Sequence, residues 1–140
     1  MTLKQAVSLS LSLCLALLPI NIAAARSGIG EKLSIMEIDT YGQENTGAIL
    51  KRLGALEMEY EGKHFQGDIA SRVDHLYEAM YESDIIPSAF AHMNAIEWSL
   101  NKEVSDAPIM KRVEEMEKQL NGNVQEGSLH ERIKKLDESA

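Results

Sequence analysis

The chain is poor in the residues that usually staple or decorate a small domain. It has one cysteine, Cys14, and that residue lies inside the apolar N-terminal run. A chain cut after that run carries no thiol, which excludes disulfides, Cys-ligated metals and a Cys nucleophile. Leu13 directly before Cys14 is the wrong residue for a lipoprotein cleavage site, which requires small residues there. Aromatic residues make up only 5% and proline occurs three times. Packing of aliphatic side chains must therefore supply the stability. No run with the period-2 alternation of a strand stands out.

What is present begins with a leader. Met1 to Lys4 is weakly positive, "AVSLSLSLCLALLPINI" is apolar, and Ala23, Ala24 and Ala25 precede Arg26. That order is the pattern of a secretory signal peptide spanning residues 1–25. The apolar run is Ser-rich and broken by Pro19, shorter than the roughly 20 apolar residues of a membrane span. A signal anchor left uncleaved is the competing reading. Removal of the leader gives a mature chain, residues 26–140, with 13 basic against 22 acidic residues, or a net charge of −9. That balance opposes nucleic-acid binding, which rests on neutralising phosphates, and disfavours an anionic membrane surface. The expected location is the periplasm or cell envelope.

The mature chain repeats itself every 20 residues, in units 36–55, 56–75, 76–95, 96–115 and 116–135. One column reads Glu37, Glu57, Tyr77, Glu97, Glu117. A basic column reads Arg52, Arg72, His92, Arg112, Arg132. Glycine recurs at 42, 62 and 122 and again at 47, 67 and 127. Within one unit, Ile49, Leu53, Leu56 and Tyr60 are spaced 4, 3 and 4, an apolar seam along one side of a helix of coiled-coil type. Asp68, Ser88, Pro108 and Ser128 suit helix starts. Gly42, Gly62 and Gly122 suit the left-handed residue after a helix end. The fold class expected is all-α: about five 20-residue helix–loop repeats, with helices over roughly 31–41, 48–61, 68–81, 88–101, 108–121 and 128–137. Short loops predict antiparallel neighbours. Each short helix needs the next to shield its seam. The pattern leaves open whether the helices stack as an open superhelix or close into a bundle.

Candidate chemistry is sparse. Arg52, Arg72, Arg112 and Arg132 border the seam. They either pair with the Glu column on neighbouring helices or form a stripe that recognises an anionic ligand. Trp98 lies beside the seam, as core-edge packing or a ligand platform. The third unit departs from the pattern at Pro87, Ala89 and His92. It places Ile85 and Ile86 in a loop, where they either plug the core beside Ala89 or mark a joint between two halves or a partner contact. His75 and Glu78 are three apart on one helix face, as two metal ligands would be, but no second pair completes a site. No G-x-S-x-G or other nucleophile setting occurs. The methionines suit irregular core filling. No catalytic residue, metal or cofactor is expected.

The phrase G-x(4)-G-x-I-x-x-R-L-x-x-L-E, as in "GQENTGAILKRLGALE", resembles short repeats found in exported proteins of cyanobacteria and of Gram-positive relatives with an outer membrane. The resemblance covers nearly all of the mature chain and implies an accessory or envelope-associated role, with no catalytic residue to carry over. The leading expectation is a non-enzymatic, exported helical repeat protein that acts as an interaction or structural module, with a protein or cell-envelope component as partner. The alternatives are a small metal-dependent or hydrolytic enzyme using the His75/Glu78 region, and a spacer that self-associates into a homo-oligomer.

Overall fold

The computed structural model describes residues 28–82 and 87–140. The leader with Cys14, and Ile85 and Ile86, lie outside the described residues. Among the described residues there are six helices and no strand: α1 (Ile29–Tyr41), α2 (Ile49–Glu61), α3 (Ile69–Tyr81), α4 (Ala89–Asn101), α5 (Ile109–Asn121) and α6 (Leu129–Ser139). None is long and apolar enough to cross a membrane. Each starts 20 residues after the last, so the repeat extends back to Ile29. The period appears in the core as two buried columns. Leu33, Leu53, Val73, Met93, Val113 and Ile133 form one, and Met36, Leu56, Leu76, Ile96, Met116 and Leu136 the other.

Local chemistry sets the helix limits. The side chains of Asp68, Ser88 and Ser128 accept hydrogen bonds from the N–H groups of Ser71, Ala91 and Glu131. Ser128 and Glu131 complete a reciprocal capping box. Four helices end on a left-handed residue: Gly42, Gly62, Gly122 and, without glycine, Lys102 at φ 59°. α3 ends on Glu82 in extended conformation, φ −133°.

The direction of the helices departs from the antiparallel expectation. After each left-handed residue the loop runs back along its own helix. The Ser34 hydroxyl donates to Glu44 at 2.6 Å, and the Asn45 N–H donates to Glu37 at 3.0 Å. A Cβ on Gly54 would lie 3.3 Å from the His64 ring. A 13-residue helix rises about 20 Å, and an extended loop of seven residues spans about 23 Å at most. The loop therefore returns the chain to the level at which the helix began, and the next helix starts in the same sense. Cross-helix contacts agree, because they join like positions. Gln119 near the end of α5 donates to Asn101 at the end of α4, and Tyr60 near the end of α2 donates to Ala79 near the end of α3. Lys32 early in α1 meets Asp74 midway along α3, and Tyr81 at the end of α3 donates to Asp39 near the end of α1.

The helices form two trios. α1, α2 and α3 touch one another, as do α4, α5 and α6. The trios meet through α1 with α5, α2 with α6 and α3 with α4. At each meeting a C-terminal end of the first trio faces an N-terminal end of the second. Gly42 lies against Pro108, Gly62 against Ser128, and the Tyr81 ring stacks on Phe90 at 5.2 Å. The array is thus a closed two-layer stack rather than an open superhelix. The third link explains the step between layers. Glu82 replaces the turning glycine and Tyr77 replaces the loop-holding Glu, so the chain goes forward from α3 into the second trio instead of folding back.

Candidate functional site

Two features concentrate polar groups. The first is a ladder of four repeated ion pairs. Arg52 binds Glu37, Arg72 binds Glu57, Arg112 binds Glu97 and Arg132 binds Glu117, each from one helix to the previous one. The geometry is two-pronged: Nε and Nη2 of Arg132 donate to Glu117 at 2.9 and 2.8 Å, and those of Arg72 to Glu57 at 2.8 and 2.6 Å. The Arg fork matches a carboxylate, so both oxygens are held. The same carboxylates hold the returning loops. The N–H groups of Asn45, Ser105 and Gln125 donate to Glu37, Glu97 and Glu117 at 3.0, 2.9 and 3.0 Å. All four glutamates are buried.

Burial alone would raise these carboxyls. At Glu117 the bonds from Arg132 and the Gln125 N–H outweigh burial and hold the group below its ordinary value. Burial is likewise outweighed at Glu57, by Arg72, His64 and the Phe65 N–H. Among the described residues no buried side-chain nitrogen or oxygen lacks a partner. Of the two sequence readings of these arginines, pairing with the Glu column or an anion-binding stripe, the pairing is the one seen in the contacts. Arg112 also donates to Asn94 at 2.6 Å, and Arg52 to Ser34 and Glu44.

The second feature is a cleft of about 520 Å³ where the trios meet. Its walls are the ends of α2 and α3, the beginning of α4 and the length of α6. Tyr60, Ala79 and Ile133 supply apolar surface, His92 and His130 two imidazoles, and Glu61, Asp137, Glu138 and Lys134 a charged rim. The His130 ring meets Tyr60 edge-on at 6.3 Å. The Tyr60 hydroxyl donates to the Ala79 carbonyl at 3.0 Å, and burial pushes its phenol well above the usual range, so it stays protonated. The lining has no Ser, Thr or Cys to act as nucleophile.

The remaining candidates are dispersed. Trp98 is 58% exposed on α4. His75 packs edge-on against Phe65 at 4.3 Å, and both His75 and Glu78 are exposed. Among the described residues no group of three or more His, Cys, Asp or Glu could hold a metal ion. Nothing in the spacing of the sequence singles out His130. Its partner in the cleft, His92, had left a signal, as the one histidine in a column of arginines.

No protein-family model matches the chain, and no curated protein and no solved structure matches it either.

Proposed function

We propose that this chain is a non-enzymatic interaction or structural module of an exported compartment, the periplasm or cell envelope. The observation that carries the reading is how the polar groups are used. The four Arg–Glu pairs join helix to helix and loop to helix, while the one break in their column, at Tyr77 and His92, adjoins a cleft with walls for a partner and no Ser, Thr or Cys in its lining. The leader supports export, and the acidic mature charge favours cationic or neutral partners. A protein or cell-envelope component with an amine or guanidinium on an apolar stem fits the cleft.

The test is capture from envelope fractions on the immobilised protein, with an Ala79→Trp variant that fills the cleft. The native protein should retain a macromolecular partner that the filled variant loses at equal helicity. Recovery of nothing, or equal recovery by both, would overturn the reading.

A further inference from the structure

The two end faces of the stack differ from the junction inside it in a regular way. At the internal junction the first residues of α4, α5 and α6 are covered: Ala89, Ile109 and Leu129 are 5%, 0% and 1% exposed. The same repeat position at the free end of the first trio is Ile29, Ile49 and Ile69. Ile49 and Ile69 are 40% and 37% exposed, with Leu50 beside them at 54%. The other side of the junction shows the same contrast. The next-to-last residues of the helices, Thr40, Tyr60 and Met80, are buried in the first trio, whereas their counterparts Leu100 and Leu120 in the second are only partly buried. One end of the molecule thus carries an uncovered copy of the surface that the junction buries, and the other end carries an uncovered copy of its mate.

We infer that a second copy of the chain covers these ends, head to tail, with the Ile49/Ile69 face of one copy on the Leu100/Leu120 face of the next. The internal junction is a covalent example of the same contact. The helix directions support it: all N-terminal ends of the first trio point one way and all C-terminal ends of the second the other, so stacking brings dipole ends of opposite sign together. A heterologous contact that repeats by translation does not close, and the product is a linear assembly. The inference rests on the reading of the chain as an interaction module and names its partner as the chain itself.

Sedimentation velocity tests this on residues 28–140, which contain the six described helices and their core, and on the full chain. Both should show mass rising with concentration past the dimer. Ile49→Lys/Ile69→Lys and Leu100→Lys/Leu120→Lys should each be monomeric, with association about tenfold or more weaker. Mixed one to one, the two variants should form a dimer that grows no further, because each keeps one live face. Asn121→Lys, at an exposed position on the C-terminal face, gives a second variant whose folding is not at risk. Circular dichroism confirms helicity throughout. A monomeric 28–140 chain, association untouched by the lysines, or mixed variants that stay monomeric would overturn the inference. So would association of the full chain alone, which would assign it to residues 1–27, or of 28–140 alone, which would make residues 1–27 the cover. Capture of an envelope partner by a strictly monomeric protein would remove this inference and leave the module reading standing.

Discussion

Glu117 does three jobs with one carboxylate: it neutralises buried Arg132, accepts from both prongs of its fork and holds the Gln125 N–H of the returning loop. Removing its charge strands a guanidinium that is 5% exposed. Breaking one side of a buried pair costs about 3–5 kcal/mol, so Glu117→Gln should lower the urea midpoint by a large fraction of the total stability. Glu117→Leu with Arg132→Leu should recover only part of that loss. The pair is then gone, but the Gln125 N–H has lost its acceptor, worth about 1–3 kcal/mol when buried. The same groups set the response to acid. Glu57 and Glu117 are held below the ordinary 4.5 in the folded chain. A carboxyl lowered on folding contributes fully above its unfolded value and loses that contribution as pH falls towards its folded one. Urea midpoints against pH should therefore be level above about pH 4.5 and decline below it, and the decline should be shallower in Glu117→Gln.

At the scale of the element, the left-handed residue after α1, α2, α4 and α5 begins the return of the chain. Gly42 and Gly122 both adopt it, at φ 82° and 80°. Alanine at either strains the backbone by about 1–2 kcal/mol. A Cβ at Gly42 would also meet Pro108 Cγ at 3.0 Å, while at Gly122 nothing lies within 4 Å. Gly42→Ala should thus lower the melting temperature more than Gly122→Ala, because it also wedges the junction between trios. These glycines, with the capping Ser and Asp residues, made the helix limits readable, and the spacing of Leu53 and Leu56 made the buried face readable. Helix direction was not readable. A seven-residue loop can turn sharply or run straight back, and what decides is a tertiary bond, such as that of Asn45 to Glu37, that no local pattern encodes. The Arg–Glu register was legible because both columns share the period. The cleft was not, because His130 joins His92 only after the third link steps forward.

For the whole molecule, that forward step makes two trios out of six equal units, and it raises the question of which contacts hold them together. The link itself is a short stretch after Glu82, whereas the junction buries Thr40, Tyr60 and Met80 on one side and Ala89, Ile109 and Leu129 on the other. A trio of about 55 residues is close to the size at which a single core becomes marginal, and separation would expose the whole junction face of each. Covalent continuity between α3 and α4 should accordingly matter less than the face. Residues 28–82 and 87–140, co-expressed as two chains, should co-elute in gel filtration with the helicity of the intact protein, and each chain alone should be largely unfolded. Met80→Lys in the first chain should abolish co-elution, because it puts an ammonium in place of an apolar side chain that is 1% exposed. Should either half keep full helicity alone, each trio would be an independent domain, and the buried junction residues would be serving orientation rather than stability.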